Sequence, residues 1–304
     1  FEGSANSSFY NGFGAPDTQQ FGSNLSAQYA PGNANGYPDK AETDGVIGKV
    51  TYSWKPSEDK MYYVTWSEGF RPGLLNRPVG RTSADGSYSV PPSVDSDEIT
   101  NMEFGWKNVL RDGRLRFNGS IFRVDVSGLQ STIFDPSIVN LFFSDNAADA
   151  EIKGVEGDFI YYTEGGLILS GAFSLLDTEI TKSLIPTGDI VVGQDLAFAP
   201  GFQANLSGRK EWTMEGGNTG FWQLQFSMSD KSYSDIMQPN RAKQDSYNLT
   251  NLRAGISTDD WTAEMYVDNL TDERAEISNT FVFDRQRVAV VRPMTVGLRY
   301  KMKF

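Results

Sequence analysis

The chain has 304 residues, with Lys+Arg 27 against Asp+Glu 39, a formal net charge of -12, and neither cysteine nor histidine. That composition removes disulfide frameworks, thiol catalysis, imidazole metal sites and any His-based general acid or base. The acidic balance argues against a nucleic-acid surface, which needs clustered basic residues to neutralise phosphates.

The sequence starts at Phe1 with neither an initiator Met nor a charged, apolar targeting segment, so a piece of a longer protein is expected. No run of about 18 apolar residues occurs, and a membrane reading therefore has to rest on strands. Residues 1–45, rich in Gly, Asn, Ser and Ala, are expected to form an extracellular loop. Residues 46–304 alternate apolar and polar side chains in short runs, the period of half-buried strands. Val50, Tyr52 and Trp54 stand against Thr51, Ser53 and Lys55, and Met102, Phe104 and Trp106 against Asn101, Glu103 and Lys107. The same split recurs in Val155, Phe159 and Tyr161, in Leu169, Phe173 and Leu175, in Trp222, Leu224, Phe226 and Met228, and in Trp261, Ala263, Met265 and Val267. In the strand from Leu115 to Gln130 the parity changes near Ile121 and Phe122, which predicts a β-bulge there.

A soluble sandwich would alternate too, but the connections come in two kinds that take turns. Short ones lie at Pro56–Asp59, Leu110–Gly113, Thr163–Gly166, Met214–Thr219 and Ser257–Asp260; long irregular ones lie at about 71–97, 127–147, 182–198, 233–244 and 270–288. Short turns on one rim and long loops on the other belong to an outer-membrane barrel. The expected fold is therefore all-β, an antiparallel transmembrane β-barrel. About eleven strands are predicted, an odd number that a single bacterial chain does not close. They fit the C-terminal half of a barrel of about 22 strands.

The end of the chain carries its own signal. Val296, Leu298, Tyr300, Met302 and Phe304 form an apolar row opposite Lys301 and Lys303. A closing strand suits that pattern, since closure removes unpaired backbone groups from lipid. Thr295, Gly297, Tyr300, Met302 and Phe304 also follow the pattern of a signal read by the barrel-assembly machinery: polar residue, glycine, aromatic, then hydrophobic. Trp54, Trp66, Trp106, Tyr161 and Trp212 lie near strand ends and are expected in a membrane-interface girdle.

Five segments in order resemble the TonB-dependent outer-membrane receptors of proteobacteria: YVTWSEGFRPGLLNRP from Tyr63, EITNMEFGWKNVLRDGRLRFNGSIF from Glu98, DNAADAEIKGVEGDF from Asp145, VDNLTDERAE from Val267, and RPMTVGLRYKMKF at the end. The resemblance implies an outer-membrane location in a Gram-negative bacterium and energy-coupled import of a small-molecule ligand, with outer-membrane lipid around the barrel. It also implies a plug domain and a Ton box gripped by the TonB complex, neither recognisable in these 304 residues. Ferric siderophores are the commonest cargo it implies, with vitamin B12, haem and oligosaccharides as alternatives; the missing histidine disfavours haem. Neither a cofactor nor a metal site is expected.

Ligand contact is assigned to Arg71, Asn76 and Arg77, cationic and amide donors at the mouth suited to an anionic chelate; the competing reading is that the arginines pair with lumenal acids or hold the loop. Glu156 with Asp158, and Glu264 with Asp268, share faces and imitate catalytic pairs, but a polar lumen predicts the same pattern. Three rivals remain open from sequence. An outer-membrane enzyme lacks a histidine base in this stretch, a passive channel lacks a plug, and a soluble carbohydrate-binding β-domain would need no detergent.

Overall fold

The computed structural model describes residues 41–302 except 77–80, 136–137, 139–141 and 283–284. Most of the expected 1–45 loop, and Phe304, lie outside the described residues. Eleven long strands form one sheet: β1 (Lys49–Ser57), β2 (Lys60–Arg71), β3 (Asp97–Leu110), β4 (Leu115–Ile133), β5 (Phe143–Tyr162), β6 (Leu167–Ser183), β7 (Phe202–Thr213), β8 (Thr219–Ser229), β9 (Tyr247–Ser257), β10 (Trp261–Asp268) and β11 (Thr295–Met302). Each pairs antiparallel with its neighbours in sequence, so the wall is a simple meander. Among the described residues the outer edges of β1 and β11 have no partner strand. Among the described residues no helix is long and apolar enough to cross a membrane.

The short and long connections alternate as expected. The β3–β4 turn takes Arg111, Asp112 and Gly113 through positive φ (56°, 57° and 83°), the left-handed geometry that lets two twisted strands meet in a tight hairpin. The long connections sit at the other end, where three carry small antiparallel pairs, Leu74–Leu75 with Ser93–Val94, Ser232–Tyr233 with Lys243–Gln244, and Glu276–Val282 with Arg285–Val290.

Residues directly opposite in register share a face, and this sorts the sheet. One row runs Tyr52, Val64, Phe104, Ile121, Val155, Leu175, Phe202 from β1 to β7. Further along the same face come Leu206 with Phe226, Leu224 with Leu252, and Met265 with Leu298. These side chains are exposed on a large scale: Tyr52 is 70% accessible, Ile121 51% and Leu298 84%. An apolar surface this continuous needs a non-aqueous neighbour. The opposite face carries Thr65, Glu103, Asn118, Ser120, Glu156, Asp158, Gln223, Arg253 and Glu264, the lining of a wet lumen.

The bulge expected at Ile121 and Phe122 is absent: both stay in regular register with β3 and β5. What changes at that level is the polarity of the two faces. Above Ile121 the same face turns charged, with Arg123, Asp125, Lys153, Glu151, Asp177 and Glu179, while the other face turns apolar, with Val124, Val126, Ile152, Ala150 and Ile180. A strand leaving lipid for water must reverse which side it keeps dry, and an uninterrupted strand does so by reversing its alternation. The irregular pairing comes higher, between Val126 and Gln130, where Gly128 adopts a φ of 64°.

Above the reversal β4–β6 rise as a ladder with its own core. Val126, Ile133, Phe143, Ala147, Ala148, Ala150 and Ile180 pack with Tyr88 and Val90 from the loop 72–96, Ile185 and Ile190 from 184–201, and Ile236 and Met237 from 230–246. Three connections thereby close over the polar side of the sheet as one packed body.

Candidate functional site

The candidate region is the polar face together with the loops that cover its upper end. Arg71 ends β2 opposite Asp97, the first residue of β3. Its Nε donates to both carboxylate oxygens (3.1 and 2.8 Å), its Nη2 also bonds Asp97, and Nη2 reaches the Gln130 carbonyl at 3.1 Å. The Asp97 carboxylate is buried and accepts the backbone N–H groups of Arg71 and Gln130 as well. Arg71 thus neutralises a buried acid and fastens three strands.

Asn76 is buried and uses its whole amide. Nδ2 donates to the Pro91 and Ser144 carbonyls at 2.9 and 2.7 Å, and Oδ1 accepts from Ser144 N at 2.8 Å. It clamps its loop onto β5. Arg77 lies outside the described residues. Two contacts that sequence reasoning missed reinforce the clamp. Tyr88 donates to Asp145 at 2.6 Å, with burial as the larger force pushing its hydroxyl pKa up and the carboxylate adding to it. Asn146 Nδ2 bridges the Asp95 and Gly128 carbonyls. These partners lie 18 to 57 positions apart in the chain, so only cross-strand register reveals them.

In the loop 230–246, Arg241 lies over the Tyr233 ring at 3.9 Å and donates to the carbonyls of Asp195 and Asp235. Burial raises the Asp235 carboxyl pKa, against the backbone N–H groups of Met237 and Ile236 and the nearby Arg241 charge, which lower it. Gln194, from 184–201, donates to Ile236 O of the same loop, and Asn240 of the loop donates to Phe134 O.

Lower on the polar face the acids are already engaged. Tyr63 donates to Glu103, Ser120 to Glu156 (3.3 Å) and Asn118 to Asp158 (3.1 Å). Glu264 faces Arg299 at 3.1 Å and Arg253 at 3.9 Å, and Arg253 also approaches Asp268 at 3.6 Å. Neither sequence-derived acid pair stands as an isolated carboxylate dyad; each is part of a hydrogen-bonded polar wall. Among the described residues no cluster of three or more metal-ligating side chains forms.

The aromatics expected in a girdle all lie on the apolar face. Trp54, Tyr62, Phe104, Trp106 and Phe117 follow one another with ring centroids 5.7 to 6.4 Å apart. Tyr161 sits by the β3–β4 turn and accepts from Arg111 at 2.9 Å and Trp212 is near the β7–β8 turn, whereas Trp66 is mid-strand in β2 rather than near a strand end, opposite Met102 and level with Arg123. Trp106 covers Gly119 and its Nε1 is enclosed without a partner among the described residues. On β11, Tyr300 and Met302 point to the apolar side with Val296 and Leu298, while Gly297 and Thr295 belong to the other face. Gly297 lies under Tyr266: a Cβ there would come within 2.3 Å of that ring.

With this geometry in place, comparison with known proteins is informative. The family described as TonB dependent receptor-like, beta-barrel matches residues 7–270. The ferric yersiniabactin uptake receptor FyuA from Yersinia pestis is similar at a TM-score of 0.67 and 17% identity, over 85% of this chain and 37% of that one. The siderophore receptor PiuA from Acinetobacter baumannii gives 0.60 and 18% over 83% and 35%, and the ferric-catecholate import receptor Fiu from K12 E. coli 0.60 and 15% over 84% and 34%. The likeness at these identities is one of fold, and the chain spans 34% to 37% of the length of these receptors.

Proposed function

The chain belongs to the TonB-dependent receptors, in their β-barrel domain, and from that premise we propose that it forms about half the wall of an outer-membrane receptor that imports a ferric siderophore. The family is one of transport receptors of the Gram-negative outer membrane rather than of enzymes. The observation that carries the reading is the family match across a wall with one apolar and one polar face and with long loops packed over the polar side at one end. The siderophore assignment draws on neighbours named for ferric yersiniabactin, siderophore and ferric-catecholate uptake.

In this reading the unpaired edges of β1 and β11 join strands supplied by the rest of the receptor, completing about 22. The stretch carrying Arg71, Asn76 and Arg77 forms the rim of the ligand mouth, with Arg71 and Asn76 holding its shape. Thr295, Gly297, Tyr300, Met302 and Phe304 serve the assembly machinery, and Trp54, Trp66, Trp106, Tyr161 and Trp212 serve the membrane interfaces. A plug with its Ton box, outside this stretch, couples the wall to the TonB complex.

The test is uptake by the full-length receptor in cells stripped of their own iron receptors. Expression of the receptor and accumulation of radiolabelled ferric siderophore should both rise under iron limitation, and accumulation should vanish without the TonB protein. Indifference to iron combined with a response to a sugar would sink the siderophore assignment.

A further inference from the structure

At the long-loop end most cations are spent on the protein itself. Arg71 holds Asp97, Arg241 is taken up by two backbone carbonyls and the Tyr233 ring, Arg274 faces Asp272 and Lys243 faces Asp245. Arg285 and Arg287 are not spent in this way: both are exposed, and neither side chain has a hydrogen bond or an ion pair among the described residues. They stand two positions apart on Arg285–Val290, the second arm of the hairpin with Glu276–Val282, and so share one face at a spacing of about 7 Å. Thr280 lies directly opposite Arg287, and Ser278 opposite Ala289, so this face carries hydroxyls and, among the described residues, no acid. Glu276 belongs to the other face, where Asn279 Nδ2 donates to it at 3.1 Å.

Hydrogen bonds fix the hairpin to its surroundings. Across its base Val291 N donates to Ala275 O at 3.0 Å, and the buried Asn269 amide donates to the Glu273 and Arg292 carbonyls at 2.9 and 2.8 Å. Buried Gln244, from the loop 230–246, presents its amide oxygen to the backbone N–H groups of Ser278 (3.3 Å) and Asn279 (2.9 Å). The hairpin therefore stands beside the loop whose Ile236 and Met237 close over the polar side of the sheet. Two guanidiniums held on one rigid face suit a partner that brings two planar anions, because each fork takes a carboxylate through two parallel N–H···O bonds. Arginines on an exposed edge strand also deter strand addition. Any surface cation fills that role, and it predicts no selectivity among ligands.

We propose that Arg285 and Arg287 are the anion-recognition pair of the mouth, and that the cargo is a ferric chelate bearing peripheral carboxylates. The proposal rests on the ferric-siderophore reading above and adds to it the class of chelate. Its test is equilibrium binding to the full-length receptor in detergent, with radioiron complexes of citrate and rhizoferrin, both carboxylate chelators, and with ferrichrome, a neutral trihydroxamate. A carboxylate chelate should bind at least about tenfold more tightly than ferrichrome, as expected for charge-assisted hydrogen bonds. R285Q/R287Q should abolish that preference. R81Q/K231Q, which removes two lone exposed cations from the same end, should leave it within about twofold. Equal or tighter binding of ferrichrome by the wild-type protein overturns the proposal, whether or not the variants fold. So does a folded R285Q/R287Q with its preference intact, or an equal loss in the two double variants. Binding of none of the three complexes also overturns the class assignment, whereas the siderophore reading itself falls only if uptake is indifferent to iron.

Discussion

Gly297 illustrates how one position can satisfy two demands. As part of the terminal pattern it suits recognition during assembly, and in the folded wall it makes room for the Tyr266 ring directly opposite. The pairing recurs across the sheet: Tyr63 lies over Gly105, Trp106 over Gly119, Phe122 over Gly154 and Trp212 over Gly220, each in register. Gly297→Ala should therefore lower the yield of heat-modifiable, membrane-inserted barrel. If packing is the cause, adding Tyr266→Ala restores assembly; if recognition is the cause, the double variant stays defective. Asn76 offers a second separation of roles. Asn76→Ala leaves buried carbonyls and an N–H at Ser144 and Pro91 unsatisfied, a local loss of about 1–3 kcal/mol. Hydrogen exchange in the loop 72–96 should quicken. A weakened ligand affinity with unchanged exchange would instead make Asn76 a direct contact.

At the level of elements, strands and turns were legible because lipid on one side and water on the other impose a strict two-residue period. The five short connections fall where turn residues such as Arg111–Gly113 announce them. Strand β4 was misread for an instructive reason: a change of parity has two physical sources, an inserted residue or a change of medium, and alternation alone does not separate them. Neighbouring strands do, since Lys153 and Asp177 turn charged in the same row as Arg123. The loop site was less legible. Arg71 and Asn76 were visible as polar residues at a rim, but their commitments to Asp97 and Ser144 depend on register across 26 and 68 positions. The loop 230–246 has a pH dependence that sequence does not announce. Burial raises the Asp235 pKa, so its contribution to docking is fullest when the carboxyl is protonated and is lost as pH rises through the folded value. Exchange in residues 232–244, corrected for intrinsic rates, should slow as pH falls from neutral towards the ordinary carboxyl range, and Asp235→Asn should flatten the trend.

For the molecule as a whole, the assignment of faces predicts opposite outcomes for neighbouring residues. Leu224 lies mid-strand on the apolar face of β8, and Gln225 beside it faces the other way. Leu224→Arg should cost about 2–4 kcal/mol in equilibrium folding into lipid vesicles, with Gln225→Arg close to neutral. Equal penalties would mean that both faces are dry and would return the sheet to a soluble sandwich. The faces thus organise the fold more than an internal core does, and among the described residues the buried core gathers around Ile133 and Ile180, above the level where the polarity of the strands reverses.

That upper storey has a consequence for how the chain tolerates change over time. On a single continuous strand, β4, Ile121 and Asp125 occupy the same face yet answer to opposite rules: the first admits Leu or Phe and rejects Glu, the second admits Glu or Lys and rejects Leu. Relatives that insert or delete two residues below this level keep every side chain on its proper face but carry charge into the membrane or grease into the water. Length variation should therefore gather in the connections, and the distance from the short turns to the level of Arg123 should be the most strictly inherited dimension of the wall.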